Sequence, residues 1–357
     1  MLSDLLYSLK ETEFFFNLFG YISFRSGLSL VTSFFIVIIL MPHWIRFQKS
    51  IFPSGQPIRN DGPDTHYHKK GTPTLGGVLI LFSIILSSIL WTSNFSSFNY
   101  ILILTLTLFG LIGLVDDIQK VKLGKGISSK TKFLSQLLAT LIIYFTIKYN
   151  GFDLNKFSIP FLKDVSIELG YLYFVLILLI VVGSTNATNL TDGLDGLVSM
   201  PLIFVFLTFA IFAYVLGNIN FSNYLLVNYM KGSGEIVIFC TAAIGSLLGF
   251  LWFNSSPASI FMGDTGSQSL GASLAVTSIL LKQEIVLAVA GGLFVLETVS
   301  VIVQILSFKL TGKRIFRMAP LHHHFEQKGW AESTIVIRFW IIAVILALIG
   351  ISSLKLR

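Results

Sequence analysis

Long apolar runs separated by shorter polar connections dominate the chain, and they predict membrane-spanning helices. A helix needs roughly 20 apolar residues to cross the hydrocarbon core of a bilayer, and several runs are close to the short limit. The pattern contains no internal repeat, so we expect one integral-membrane domain over residues 1–357. The fold class is therefore predicted to be an all-α polytopic membrane protein with about ten transmembrane helices. The predicted spans are 22–42, 76–92, 98–115, 133–148, 171–185, 197–217, 236–253, 260–281, 285–307 and 334–354.

Composition supports this class and excludes others. Of the 357 residues, 54% are hydrophobic and only 12% are charged, and the mean hydropathy is +0.80. Soluble domains carry about 25% charged residues. The single cysteine, Cys240, excludes a disulfide framework and a metal site of the cysteine type. The net charge of +7 indicates basic loops at a membrane surface, so we expect no nucleic-acid partner.

The distribution of basic residues predicts the orientation of the helices. Fifteen of the 25 Lys and Arg residues lie in the connections 43–75, 116–132 and 308–333. Because basic loops tend to remain in the cytoplasm, these connections are expected inside and both termini outside. All six histidines and the acidic residues of the polar motifs fall on the same side. We therefore expect the chemistry of this protein at the cytoplasmic face.

Two adjacent carboxylates, Asp116 and Asp117, directly follow the third apolar run. If that helix ends there, each carboxylate is disfavoured by about 0.3–1 kcal/mol at the negative end of the helix dipole. A divalent cation carrying a phosphorylated ligand is the strongest reason for such a pair at a membrane surface. The alternative is a solvated acidic pair neutralised by Lys120 and Lys122.

A segment rich in Asn, Asp and Gly, residues 186–197, connects the fifth and sixth predicted spans. If the segment is helical, its spacing of three places Asn189 beside Asp192, and Asp192 beside Asp195. Its glycines leave room for a ligand to approach the backbone closely. The alternative is a polar turn in which the Asp and Asn side chains only cap helices.

Asp264 lies between two glycines at the start of the eighth predicted span. An acid at a helix entry suits a metal ligand, or a cap beside a phosphate site. The plainer alternative is that Asp264 only caps its own helix.

Three consecutive histidines, His322, His323 and His324, occupy the segment 318–330. Three neighbours cannot all point one way, so a zinc site made by these residues alone is not expected. Beside Arg317 and Lys313 they are better suited to bind phosphate oxygens or a sugar ring. A solvated polar loop is the alternative.

Acids, amides, histidines and lysines thus converge on one membrane face, and this combination favours phosphoryl transfer. That reaction needs a cation to neutralise a diphosphate, basic groups to hold it, and a group that positions or deprotonates the nucleophile. Basic residues in the segment 69–77 are equally well explained as topology determinants. Glu297 and Gln304 lie within the ninth predicted span, and the sequence assigns them no role.

Five segments together resemble the polyprenyl-phosphate N-acetylhexosamine-1-phosphate transferase superfamily: 69–77, 114–120, 186–197, 261–267 and 318–330. The histidine segment is similar to the branch that acts in peptidoglycan synthesis. The resemblance implies a ten-helix protein of the bacterial cytoplasmic (inner) membrane with both termini periplasmic. It also implies Mg²⁺-dependent attack of undecaprenyl phosphate on UDP-N-acetylmuramoyl-pentapeptide, which gives lipid I and UMP, and it suggests a homodimer.

The same resemblance implies roles for individual residues. Asp264 resembles the Mg²⁺ ligand, and Asp116 resembles the group that deprotonates or positions the lipid phosphate, with Asp117 beside it. His323 and His324 match the essential histidine segment. The residues implied to bind substrate are Lys70, Thr74, Lys120, Lys132, Asn189, Asp192, Gly193, Leu194, Asp195, Asn254, Phe261 (suited to stack on uracil) and His322.

Two other functions stay open at this point. An ion-coupled secondary transporter would also carry intramembrane acids, although such proteins tend to show repeats and charges at the membrane midplane. A sister transferase that uses UDP-N-acetylglucosamine is the closer alternative.

Overall fold

A computed structural model of the protein describes residues 1–52, 69, 71–93, 96–158 and 166–355. Within these residues the chain is almost entirely helical. The helices are α1 (Leu2–Ser8), α2 (Ile22–Ile51), α3 (Gly76–Trp91), α4 (Ser97–Leu123), α5 (Ser129–Tyr149), α6 (Leu172–Thr191), α7 (Ser199–Leu216), α8 (Ile219–Leu225), α9 (Ile236–Asn254), α10 (Gly263–Leu280), α11 (Glu284–Ala290), α12 (Gly292–Thr311), α13 (Leu321–Glu326) and α14 (Glu332–Ser352).

Each of the ten predicted spans coincides with helix in the structure, and the all-α polytopic fold is confirmed. Seven helical segments in the described part of the chain are long and apolar enough to cross a membrane: α2, α4, α6, α7, the segment Ser233–Asn254 that contains α9, α12, and the segment Glu332–Lys355 that contains α14. Helix α3 is shorter, with 16 residues, and α5 and α10 carry more polar side chains. The count of ten spans and the orientation of the chain stay predictions.

Helix α10 lies at the centre of the bundle. Every residue from Asp264 to Leu280 is buried, and the helix packs against α3, α4 and α6. Most of its hydroxyl groups donate to its own backbone: Ser269 Oγ donates to the carbonyl of Thr265 at 2.6 Å, and Ser273 Oγ to that of Ser269 at 2.8 Å. A helix of small, self-satisfied polar residues can therefore be enclosed on all sides without leaving these groups unpaired.

Helix α4 continues well beyond its apolar run, so one predicted boundary is wrong. The helix ends at Leu123, where Gly124 adopts the left-handed conformation (φ +71°) that commonly terminates helices. Asp116 and Asp117 therefore lie inside the helix rather than at its C-terminus. The argument that the helix dipole disfavours the pair does not apply, because that effect fades within the last turn.

Two further predictions of helix extent are corrected. Helix α6 ends at Thr191, so only the first half of the segment 186–197 is helical, and Asp192 begins a turn. The ninth predicted span is not one helix, because Gly291 interrupts it between α11 and α12. Between α5 and α6 the chain also contains two short strands. Strands β1 (Lys156–Ser158) and β2 (Ser166–Glu168) pair antiparallel.

A buried ion pair ties three helices together at the end of the bundle opposite the polar motifs. Arg25 of α2 meets Glu235, just before α9, with 2.6 Å between Nη2 and Oε1. The guanidinium also donates to the carbonyl of Trp91 at the end of α3, and Glu235 accepts from the backbone N–H of Ser93 at 3.0 Å. The pair thereby fixes the ends of α2, α3 and α9 relative to one another.

We expect Glu235→Ala to lower the free energy of unfolding by about 3–5 kcal/mol, because it leaves the charge of Arg25 buried without its partner. The thermal unfolding midpoint of the purified protein in detergent measures this loss. Glu13→Ala, which removes an exposed carboxylate, is the matched control and should leave the midpoint unchanged. Equal midpoints for the two variants would show that the ion pair contributes nothing to stability.

Candidate active site

The start of α10 is held by a carboxylate that comes from α4. Asp117 accepts hydrogen bonds from the backbone N–H of Asp264 (3.0 Å), from the backbone N–H of Thr265 (2.9 Å) and from the Thr265 hydroxyl (2.7 Å). A carboxylate at a helix N-terminus satisfies free N–H groups and meets the positive end of the dipole. Gly113 permits this approach, since a Cβ there would overlap the carbonyl of Asp264. Both Asp117 oxygens are thus committed to backbone and Thr265.

Asp264 faces two lysines from neighbouring helices. Its Oδ1 lies 2.6 Å from the Nζ of Lys120 on α4, and its Oδ2 accepts from Lys132 on α5. The carboxylate does not cap its own helix, so the alternative that Asp264 only caps α10 is wrong. That task belongs to Asp117.

Asp116 points into the same cluster. Its Oδ2 lies 2.7 Å from the Nζ of Lys120 and 3.3 Å from that of Lys132, and its Oδ1 accepts from the backbone N–H of Ile127 at 2.8 Å. The pair of aspartates is buried, and the lysine that bonds it is Lys120, not Lys122, which is exposed. A solvated pair neutralised by both lysines is therefore excluded.

The cluster of Asp116, Asp117 and Asp264 could hold a metal ion, because one oxygen from each lies within 4.8 Å of the others. Carboxylate oxygens are the ligands that hard divalent cations prefer. Asp264 is the most available of the three, since all its hydrogen bonds come from side chains that can turn away. Asp117 is the least available, because moving it would release the start of α10.

A chain of three amide side chains, two of them buried, is hydrogen-bonded to Asp264, and sequence reasoning missed it. Gln268 donates to Asp264 Oδ2 at 2.7 Å, Gln136 of α5 donates to Gln268 at 3.1 Å, and Asn186 of α6 donates to Gln136 at 3.0 Å. The one signal in the sequence was the spacing of four between Asp264 and Gln268, which places them on the same face of a helix. The contacts of Gln136 and Asn186 join distant parts of the chain and leave no local pattern.

The turn that follows α6 lies beside this cluster. Asn189, in the last turn of α6, donates to the Ser267 hydroxyl of α10 at 3.0 Å. Loss of hydration raises the pKa of Asp192 to about 8, and the negative charges of Asp264, Asp117 and Asp195 add to the rise. Asp192 therefore experiences the charges of the acid cluster without a bond to it.

Asp195 organises the far side of the same turn. It accepts from Lys69 Nζ at 2.7 Å and from the backbone N–H of Ala258 at 3.0 Å, and its own N–H donates to Glu332 at 2.8 Å. Lys69 also bonds Glu332 at 2.6 Å. Sequence reasoning did not select Lys69 or Glu332 as site residues, because a basic residue at a membrane edge and an acid at a helix start have ordinary explanations.

Several other predicted substrate-binding residues shape the walls of the region. Asn254 joins Gly196 N–H (3.0 Å) to the carbonyl of Ile260 (2.9 Å). Phe261 is half-buried, and its backbone N–H donates to the carbonyl of Pro73 at 2.8 Å. The side chain of Leu194 is buried in an apolar cluster. The buried hydroxyl of Thr74 has no hydrogen bond among the described residues. Lys70 lies outside the described residues.

The three histidines point in different directions, as expected. His322 is fully buried beside Glu297 of α12, His323 Nδ1 lies 2.6 Å from Glu326 Oε2, and His324 Nδ1 accepts from the backbone N–H of Arg317 at 3.1 Å. Partial burial and the positive charges of Lys328 and Arg317 lower the pKa of His324. Each histidine therefore has a different neighbour, on α12 or within its own segment.

Gln304 and Glu297, which had no predicted role, anchor the histidine segment to α12. Gln304 accepts from the backbone N–H groups of Ile315 (3.0 Å) and Phe316 (2.9 Å), and Glu297 accepts from that of Leu321 at 2.7 Å. The ring of His322 in turn reaches the turn after α6, because a Cβ on Gly193 would overlap its Nε2. The structure thus brings the histidine segment, the turn and the acid cluster to one end of the bundle.

Comparison with known proteins agrees with this arrangement. Residues 99–282, which carry the acid cluster, match the model of the family described as glycosyl transferase family 4. The chain is 51% identical to the phospho-N-acetylmuramoyl-pentapeptide-transferase of Pelagibacter ubique, and 49% identical to those of Rickettsia prowazekii and Rickettsia felis. Each alignment covers 100% of both chains.

An all-helical membrane protein with this cluster and this match is a member of glycosyl transferase family 4. Within that class, the chain belongs to the phospho-N-acetylmuramoyl-pentapeptide-transferase family, whose members it matches from end to end. The resemblance inferred from the motifs is confirmed.

The contact between Gly193 and His322 yields a prediction. We expect Gly193→Ala to lower the free energy of unfolding by about 1–3 kcal/mol, because the added Cβ overlaps a ring that is fully buried. Thermal unfolding midpoints measure the effect. Gly183→Ala is the matched control, since a Cβ at Gly183 of α6 meets nothing within 4 Å.

A second variant identifies the cause of that loss. In a His322→Ala background, the change Gly193→Ala should cost little further stability because the clash is gone. An equal loss in both backgrounds would show that His322 is not what requires a glycine.

Proposed function

We propose that the protein transfers phospho-N-acetylmuramoyl-pentapeptide from its UDP donor to undecaprenyl phosphate, giving lipid I and UMP, in the bacterial cytoplasmic membrane. The observation that carries the proposal is the buried cluster of three aspartates and two lysines at the start of α10. Membership of a family that is named for this transfer supports the substrates. A homodimer, which the motif resemblance suggests, stays a prediction.

Mg²⁺ fits the donor set, and Asp264 is the residue proposed to hold it, with Asp116 beside it. When bound, the ion neutralises the diphosphate of the donor and stabilises charge on the departing phosphate. The fit rests on oxygen ligands in a buried, acidic place, where the three carboxylates exceed the two lysines by one charge.

Lys120 and Lys132 are proposed to bind the diphosphate oxygens. In the structure their ammonium groups form ion pairs with Asp116 and Asp264. Because lysine side chains are long and flexible, these groups can move to bind another anion. Asp116 is then proposed to position the phosphate of the lipid acceptor, or to remove its proton, for attack on the donor phosphorus. Asp117 is proposed to act indirectly, by keeping the start of α10 in place.

An apolar cavity of about 250 Å³ supports a lipid acceptor. It lies between α6, α10, α11 and α12, and Ala187, Thr188 and Phe294 are among its lining residues. Thr188 bonds the carbonyl of Ser267 on α10 at 2.8 Å, one turn from Asp264. A polyprenyl chain in this cavity would have its phosphate end near the acid cluster, which is what attack by a lipid phosphate requires.

The donor nucleotide is proposed to bind along the turn 192–195 and the half-buried ring of Phe261, which can stack on uracil. The decisive experiment supplies the purified protein with undecaprenyl phosphate, Mg²⁺ and one UDP-sugar at a time, and follows UMP. Release with UDP-N-acetylmuramoyl-pentapeptide alone supports the proposal. Release with UDP-N-acetylglucosamine would favour the sister transferase, and ion-coupled solute transport without UMP release would favour a transporter.

We expect Asp264→Asn to lower Mg²⁺-dependent UMP release by at least about a hundredfold, because it removes the proposed ligand charge. The protein should remain folded, since the bonds that hold α10 involve Asp117 and the backbone. Initial rates over a range of Mg²⁺ concentrations measure the effect, and Asp153→Asn, an exposed acid between α5 and β1, is the control. Near-normal turnover would remove Asp264 as the metal ligand.

We expect Asp116→Asn to lower kcat by about 10²–10⁴-fold, as for the loss of a general base, and to change the affinity for the UDP donor little. Steady-state kinetics and direct titration with UDP separate the two effects. If affinity falls more than kcat, Asp116 takes part in donor binding instead.

A further inference from the structure

Glu297 is a charged residue at a place where charge is costly. It lies in the apolar helix α12 and is fully buried, as is His322. Its Oε2 accepts from the backbone N–H of Leu321, at the start of α13, and its Oε1 lies 3.3 Å from Nδ1 of His322. A buried carboxylate is tolerated only when hydrogen bonds or an opposite charge compensate it. Glu297 thus bonds the backbone of the histidine segment through Oε2, while Oε1 lies beside the ring of His322 without a hydrogen bond in the described part of the chain.

The other nitrogen of the His322 ring faces the turn after α6. Nε2 is buried and has no hydrogen-bond partner in the described part of the chain, and it lies where a Cβ of Gly193 would be. The ring is therefore enclosed between a carboxylate on one side and the backbone of Gly193 on the other. Neighbours of Gly193 on both sides bear on the site: Asp192 experiences the acid cluster, and Asp195 bonds Lys69.

A carboxylate beside one imidazole nitrogen favours the proton on that nitrogen and fixes the orientation of the ring. With a proton on Nδ1 of His322, Nε2 carries a lone pair toward the turn. Loss of the carboxylate frees the ring to rotate and to exchange tautomers. Because the ring touches Gly193, either change shifts the backbone of the turn.

We propose that Glu297 is a positioning residue for the donor-binding turn 192–195 and that it acts through His322. This inference rests on the proposed function, in which that turn binds the UDP donor. Glu297 touches neither the acid cluster nor its lysines in the described structure, so its effect falls on donor binding rather than on the transfer step.

The first test uses Glu297→Gln, which keeps the volume of the side chain and an acceptor for the Leu321 N–H. We expect the KM for the UDP donor and the Kd for UDP to rise at least about tenfold, because the charge beside the His322 ring is lost, while kcat falls less than about threefold. Glu297→Asp, which restores the charge, should recover part of the affinity. A fall in kcat or in stability alone, with unchanged KM and Kd, would overturn the proposal.

A double-mutant cycle tests the route through His322. His322→Gln should raise the Kd for UDP by a similar factor, and the variant carrying both changes should be no weaker than either alone, since residues that act as one unit are not additive. Multiplied losses would show that Glu297 acts independently of His322. UDP titration needs only folded protein, so the cycle is readable even in a variant with low turnover.

Ser300→Ala is the matched control. Ser300 lies one turn further along α12, is also buried, and donates only to the carbonyl of Glu297 in its own helix. It should leave KM, Kd and kcat unchanged. Absence of UMP release by the wild-type protein would contradict the proposed function, whereas normal release with unaltered donor affinity in the Glu297 variants contradicts only the positioning role.

Discussion

The carboxylate of Asp117 on the N-terminus of α10 is the contact on which the rest of the site depends. It joins two helices that are far apart in the chain, through two backbone N–H groups and one hydroxyl. Because Asp264 is one of the residues so held, this contact decides where its side chain meets Lys120 and Lys132. Successive residues of a helix diverge by about 100°, which lets Asp116 face the lysines while its neighbour holds the backbone.

Much of the fold could be predicted from hydrophobicity, whereas the helix ends near the site could not. An apolar run indicates only the part of a helix that is shielded from water. Because α4 and α6 both continue as helix into polar sequence, their ends could not be predicted from the apolar runs. The run therefore ended at Val115 while the helix ended at Leu123. Helix α10 was predicted as a span despite its many hydroxyl groups, because its residues are small and include enough apolar side chains.

The sequence could predict which aspartates form the candidate site, but not the separate role of each one. Sorting residues by membrane side, together with the motif resemblance, selected Asp116, Asp117 and Asp264 as a group. Nothing local distinguishes Asp116 from Asp117, since the difference lies in which of them meets α10. Gln136 was missed for the same reason, because its bond to Gln268 joins residues that are 132 positions apart along the chain.

The burial of α10 affects how the site responds to changes in the bilayer. Temperature and lipid composition alter bilayer thickness and lateral pressure, and helices adapt to such mismatch by tilting. Those forces act on lipid-facing helices first, and from Asp264 onward no residue of α10 lies on the outer surface of the bundle. A tilt of the outer helices therefore reaches Asp264 through its neighbours, α3, α4, α6 and, by way of Lys132, α5, rather than through lipid contact of α10 itself.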